Sequence, residues 1–312
     1  MNLTTASRAE AAYLGLAVGD ALGATVEFQT PREISVGFAR SGGLHREIVG
    51  GGWLKLKPGQ VTDDTTMALA LGEAILERSG AVEAAACARA FDQWMRAKPV
   101  DIGNTVRRNL IQFRRSGDPV APESEHDAGN GAAMRALPVA LATLGADEAA
   151  VRAASRTQAH VTHHNAVSDA ACEFLCLAVQ DAIQGANLRE LYRYRIQPFV
   201  AAWPIYAWRG RRHENPSGYV VDTLRAVLQA LMETDNPEDC LVNVVNRGGD
   251  ADTTGAIAGM LAGALYGREA LPRRWLAALD PHIRLACAGQ ARALLDVSPA
   301  TALDPLRRQT AA

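Results

Sequence analysis

The segment TGAIAGMLAGALYG, residues 254 to 267, sets glycines at 255, 259 and 263 among small and medium-sized apolar residues. Spaced four apart, they share one face of a helix. Each costs about 1 kcal/mol against alanine in a helix interior. A second backbone packed closely against a face without side chains offsets that cost. The run is too short to cross a bilayer, so it belongs deep in a helical bundle. Whatever stands at its head then lies away from open water.

Helical periodicity extends over most of the chain, roughly at 7–23, 64–79, 82–97, 101–116, 132–144, 147–157, 165–184, 188–202, 218–233, 237–246, 253–266 and 289–296. In TMALALGEAIL the apolar residues Met67, Leu69, Leu71, Ala74 and Ile75 make a broad buried face rather than strand alternation. Beta-branched alternation is scarce and aromatics are 5% of the chain, so the fold class is all-α, an orthogonal helical bundle. No composition break marks a linker. The expectation is one domain over 1–312, with its core at about 9–297 and a flexible tail at about 298–312. Gly/Pro-rich loops fall at 29–60, 117–131 and 209–217.

A net charge of −2 gives no bulk basicity for nucleic acid or an anionic membrane. Five cysteines with no zinc-ligand spacing suit a reduced, cytoplasmic chain, and Cys172 and Cys176, four apart, read as small core residues on a helix. At the N-terminus, Arg8 and Glu10 precede a short apolar stretch that Asp20 ends, which does not read as a signal peptide. No segment reads as a transmembrane span.

Two acidic clusters stand just ahead of apolar helical runs: VTDDTT at 61–66 and RGGDADTT at 247–254. Asp and Thr are favoured N-caps, and a carboxylate gains from the helix dipole. Capping needs only one side chain, however, and gathered carboxylates repel one another unless protonated or joined by a cation. Oxygen-only ligands suit Mg²⁺, Mn²⁺ or Ca²⁺. From these residues alone, capping and a divalent-metal site both stand.

In series, GLAVGDALGATVEF (15–28), VTDDTTMALALGEAI (61–75), DIGNTVR (101–107), GNGAAMRALP (129–138), VTHHNAVSDAA (161–171) and VNRGGDADTTGAIAGMLAGALYG (245–267) resemble the ADP-ribosylglycohydrolase family, in the family's order and over about residues 9 to 285. The resemblance implies an all-α fold around two divalent cations, Mn²⁺ or Mg²⁺. By position, Thr62, Asp63 and Asp64 would hold one cation and Asp250 and Thr253 the other, with Asp252 bridging both. It also implies Asp101 and Glu27 as catalytic groups, and Asn104, Asn130, Gly131, His163 and Tyr219 as substrate contacts, with a diphosphate-binding loop at Asn130–Gly131. Read alone, Asp101 would cap the next helix, Glu27 would be a solvated acid, and Tyr219 a core residue. His160 and His164, four apart, are polar packing rather than a metal pair.

The reaction implied is hydrolysis of the N-glycosidic bond of ADP-ribosyl-arginine on a protein. GGGWLKLKPGQVTDDT and DAGNGAAMR are most similar to members acting on ADP-ribosylated dinitrogenase reductase, which implies that protein as substrate and a PII-type protein as regulatory partner, with peripheral membrane association through a partner. The alternatives are another ADP-ribosylated substrate (serine-linked, toxin-modified or a small molecule) and a non-catalytic ADP-ribose-binding protein. Gly50, Gly51 and Gly52 would serve a lid hinge or a tight static turn. Trp53 would then lie over the ligand, and Lys55 and Lys57 near the rim. The aromatic and Arg-rich segment at 203–216 reads as an exposed loop.

Overall fold

The computed structural model describes residues 3–302. In chain order the helices are α1 (Leu3–Gly23), α2 (Pro31–Gly37), α3 (Asp63–Glu77), α4 (Ala84–Arg96), α5 (Asn104–Ser116), α6 (Leu137–Ala142), α7 (Glu148–Ala159) and α8 (Ala166–Ile183). They continue with α9 (Leu188–Leu191), α10 (Gln197–Ala202), α11 (Val220–Glu233), α12 (Pro237–Val245), α13 (Ala251–Tyr266), α14 (Arg273–Ala278), α15 (Pro281–Asp296) and α16 (Pro299–Ala302). Among the described residues there are only isolated β-bridges, Gly51 to Leu56 and Gly129 to Tyr219. The all-α expectation holds. One hydrophobic core runs from Ala9 to Leu295. No helix of the described residues is long and apolar enough to cross a membrane, and all five cysteines are free and buried.

The glycine face of α13 meets a matching face on α1. A Cβ on Gly19 would lie 1.9 Å from the Gly255 carbonyl oxygen, and one on Gly15 would lie 2.2 Å from that of Gly259. A Cβ on Gly23 would meet the Ala251 oxygen at 2.1 Å, and one on Gly263 the Ala11 oxygen at 2.1 Å. These pairings descend on one helix as they rise on the other, so α1 and α13 lie antiparallel in backbone contact. The partner stripe was legible in GLAVGDALG, whose glycines also recur every four residues.

Where the periodicity misjudged elements, caps and prolines explain the difference. Helix α2 lies inside the loop expected at 29–60, started by a Thr30–Glu33 capping box and Pro31. Helix α15 begins at Pro281, well before the expected 289, because Asp280 accepts from the His282 and Ile283 amides. In the segment expected as one helix at 132–144, only Leu137–Ala142 is helical, with Pro138 in its first turn. The run at 188–202 divides at a π-helical turn, Tyr192–Ile196, ahead of Pro198. The expected tail starts as packed structure: Ser298 and Thr301 are buried, and 303–312 lies outside the described residues.

The α1–α13 contact predicts a sharp contrast between glycines. Gly19→Leu should lower stability by more than about 3 kcal/mol, since backbone rather than a flexible side chain occupies the space. A Cβ added at Gly289, in α15, would have nothing within 4 Å, so Gly289→Ala should stabilise by about 0.5–1 kcal/mol. Thermal melts of both variants check this.

Candidate active site

Helix α3 is not capped by its own acidic cluster: Thr62, at its N-cap, makes no side-chain capping bond. Asp20 of α1 does that work instead. Its carboxylate accepts from the Thr62 amide at 2.9 Å and 3.1 Å, the Thr65 amide at 3.1 Å and the Thr65 hydroxyl. Asp63 and Asp64 are left free of capping. Helix α13 likewise has no side-chain cap from Asp250. The turn before it is built by Gly248 and Gly249, at φ of +70° and +64°, where a Cβ would strike the Gln29 and Pro216 carbonyl oxygens at 2.0 Å and 2.2 Å. Buried Arg247 secures this turn through Gln229 Oε1 at 2.6 Å, Asn243 Oδ1 at 2.7 Å and Glu233 Oε2 at 3.1 Å. Capping does not account for either cluster.

The glycine contact delivers both clusters to one place. Thr62 Oγ1 lies 3.2 Å from Asp64 Oδ2 and 3.5 Å from Asp252 Oδ2, and Thr253 Oγ1 donates to Asp64 Oδ2 at 3.3 Å. One carboxylate oxygen from each of Glu27, Asp250 and Asp252 lies within 4.8 Å of the other two. Asp252 belongs to both groupings. Among the described residues, none of these acids or Asp20 has a Lys, Arg or His ion-pair partner.

Burial pushes every member of this cluster upward. Asp20 rises to about 6 despite its hydrogen bonds, and Asp63 rises to about 7 through burial and then the charge of Asp101. Glu27 rises to about 8, again through burial first, with Asp250, Asp101 and Asp63 adding to it. Asp64, Asp250 and Asp252 are raised in the same direction, by burial and neighbouring carboxylates. Asp64 Oδ1 is buried with no hydrogen-bond partner. An all-oxygen donor set, excess negative charge and an orphaned acceptor fit hard divalent cations.

The cluster floors a cleft of about 530 Å³ lined by Glu27, Phe28, Trp53, Asp63, Asp101–Arg107, Gly129–Gly131, Met134, His163, Gly218, Asp250, Asp252 and Thr253. Asp101 does not cap α5, which starts from Gly103 without a side-chain cap. Its Oδ1 accepts from the Ile102 amide at 2.7 Å. Asn104 begins α5 on the cleft wall. Thr62 and Asp64 lie behind the lining, and Tyr219 sits beyond it, next to Gly218 and 38% exposed.

Asn130 lines the cleft and also holds an acid of the cluster. Its side-chain amide donates to Asp250 Oδ2 and to Thr223 Oγ1, and its backbone N–H is taken by the Gly218 oxygen. It positions Asp250, leaving the Gly129–Gly131 backbone to face the cleft. Both glycines make room for His163, which would lie 3.0 Å and 2.9 Å from a Cβ at 129 and 131. His163 is held neutral, its pKa pushed down to about 3 by burial and by Arg135. Arg135 donates to Thr162 Oγ1 at 2.8 Å, and that hydroxyl lies 2.8 Å from His163 Nδ1. When the Thr162 hydroxyl donates to Nδ1, Nε2 carries the ring proton.

His160 bonds Asp169 at 2.8 Å and stacks on His164 at 3.8 Å, as packing rather than a metal pair. Gly50, Gly51 and Gly52 all have positive φ, and the paired Gly51–Leu56 backbone makes them a tight turn. Trp53 donates to Glu27 Oε2 at 2.6 Å. Lys55 and Lys57 are exposed and outside the cleft lining. In the 203–216 segment Tyr206 is buried, while Arg209 lies against Tyr192 and Trp208. Sequence reasoning missed Asp20 as the clamp on α3, although a lone acid inside an apolar helical run was a signal. It also missed the Arg135–Thr162 link to His163, which no spacing announces.

The family model for ADP-ribosylglycohydrolase matches residues 1–302. The chain belongs to the ADP-ribosylglycohydrolase family. It is 46% identical to the ADP-ribosyl-[dinitrogen reductase] glycohydrolase of Rhodospirillum rubrum, over 92% of this chain and 95% of the relative. An ADP-ribosylarginine hydrolase of Serratia proteamaculans is 33% identical, over 86% of this chain and 74% of the relative. A solved structure described as an ADP-ribosylglycohydrolase-related protein complex superposes with a TM-score of 0.83 at 35% identity, covering 94% of this chain and 98% of that one. Such glycohydrolases are metal-dependent, in keeping with the acidic cluster.

The cluster's charge sets a pH dependence for the metal-free protein. Asp20, Asp63 and Glu27 have folded pKa values of about 6, 7 and 8, above those of unfolded carboxylates at about 4. Between these limits the folded state binds more protons than the unfolded one, so stability falls as pH rises. With chelator present, the melting temperature should drop from pH 5 to pH 8, and Mn²⁺ should raise it most at pH 8, where proton competition is least. A flat profile with chelator would contradict the burial of uncompensated charge.

Proposed function

We propose that this chain hydrolyses the N-glycosidic bond joining ADP-ribose to an arginine side chain of a protein, with dinitrogenase reductase as the protein substrate. The observation that carries this reading is the convergence of both acidic clusters, Glu27 and Asp101 on one cleft. The similarity to glycohydrolases whose names specify dinitrogen reductase and ADP-ribosylarginine supports the choice of substrate.

Thr62, Asp63, Asp64, Asp250, Asp252 and Thr253 would hold two divalent cations, Mn²⁺ or Mg²⁺, with Asp252 shared between them. When bound, these cations supply charge stabilisation at the ribose as the bond breaks. Asn130 keeps Asp250 in place, and His163 offers a neutral N–H to the substrate. Guanidine is a poor leaving group unless its nitrogen carries a proton. Asp101, at the cleft wall and not engaged in capping, handles that proton. Glu27, bonded to Trp53 beside Asp250 and Asp252, would take one from the attacking water. The C1″–N bond breaks, a water oxygen bonds to C1″, and the arginine leaves with its proton.

Two variants test this. Asp101→Asn should reduce kcat on ADP-ribosyl-arginine about 100-fold or more, with KM changed less than about threefold. Asp252→Ala should lose both metals and all hydrolysis while keeping its helical circular dichroism spectrum. Full metal occupancy in Asp252→Ala, or equal wild-type cleavage of serine-linked and arginine-linked ADP-ribose, would contradict the assignment.

A further inference from the structure

Phe28 has φ at +62°, the left-handed region that a bulky side chain rarely occupies. Its backbone is pinned there from both sides. The Phe28 amide donates to the Gly249 oxygen at 2.7 Å, the Gln29 amide to Val26 at 3.1 Å, and the Gly249 amide back to Gln29 at 3.0 Å. Glycine would meet the same geometry without strain. Nor does burial of the ring offset the strain, since Phe28 is 65% exposed. Strain retained without a packing gain points to a use in the site.

That use is indicated by what surrounds the ring. Phe28 stands 5.4 Å from the Trp53 ring at an interplanar angle of 49°. Trp53 is itself 52% exposed and is held by its bond to Glu27. Both aromatics line the cleft together with Glu27 and Asp101. A flat, delocalised cation is the group that aromatic faces and flanking carboxylates recognise together. Adenine would also stack on such a wall, but the two carboxyl groups lining the same cleft favour a cation over a neutral base.

We propose that Phe28 and Trp53 form the seat for the guanidinium of the modified arginine and so determine specificity for the arginine linkage. This rests on the arginine-linked reading of the function. The seat is an open aromatic wall rather than a closed pocket, which leaves room for the protein chain that carries the arginine.

The test compares wild type, Phe28→Leu, Phe28→Tyr and Phe28→Gly with the metal-loaded protein. KM and kcat are measured on ADP-ribosyl-arginine, and the dissociation constant for free ADP-ribose, which lacks the guanidinium, is measured alongside. Phe28→Leu and Phe28→Gly should raise KM by about three- to tenfold, with Phe28→Tyr restoring it and ADP-ribose affinity unchanged within about twofold. Phe28→Gly should melt no lower than wild type, because it relieves the strain. Equal weakening of ADP-ribose would place the ring on the nucleotide and overturn the proposal. An unchanged KM in both ring-free variants would overturn it as well. Absence of wild-type turnover on ADP-ribosyl-arginine would instead overturn the arginine reading, and the seat with it.

Discussion

Helices α1 and α13 touch backbone to backbone, with each glycine of one filling the space where the other would need a side chain. The contact is antiparallel, so the C-terminal end of α1 arrives beside the N-terminal end of α13. This sets Ala24–Glu27 next to Asp250–Thr253 at a separation that larger residues could not permit. On the same helix Asp20 grips the start of α3. One helix therefore fixes three sources of ligands, and the register of the glycine stripes determines how they meet.

The acids gathered by this contact differ in how they are satisfied. Asp20 takes backbone amides and the Thr65 hydroxyl, so it can remain buried as a structural clamp. Asp64 has an oxygen with no partner, and Glu27, Asp250 and Asp252 converge without a basic residue among them. Buried like charges raise one another's proton affinity and oppose folding as they ionise. Cations at the cluster relieve the same repulsion, which joins stability to the chemistry of the site. Arg135, buried nearby and without an acidic partner among the described residues, is lowered to about 10 by burial. It serves the Thr162–His163 link rather than neutralising the cluster.

Left-handed backbone shapes three approaches to the cleft. Gly248 and Gly249 shape the approach to Asp250, Gly50–Gly52 shape the approach to Trp53, and Phe28 takes a left-handed conformation without being glycine. The turn at 50–52 behaves as fixed architecture: a Cβ on Gly52 would meet the Ala24 oxygen at 2.3 Å, so the loop is keyed into the end of α1. The Trp53–Glu27 bond then closes the long 29–60 segment over the acidic floor.

The sequence by itself determined the all-α class, the buried glycine helix and the oxygen-rich chemistry of the two clusters. Helical period, glycine spacing and ligand type are local properties, visible without knowing what packs where. It did not determine that Asp63 and Asp64 are released from capping, because the alternative cap, Asp20, comes from a distant helix. It likewise misplaced the start of α15, where one capping aspartate outweighs a weak apolar pattern, and it gave no sign that the Asn130 amide is engaged by Asp250 and Thr223. Those outcomes belonged to the tertiary structure, since which of several available hydrogen-bond partners a polar side chain takes depends on the groups that folding brings within about 3 Å of it.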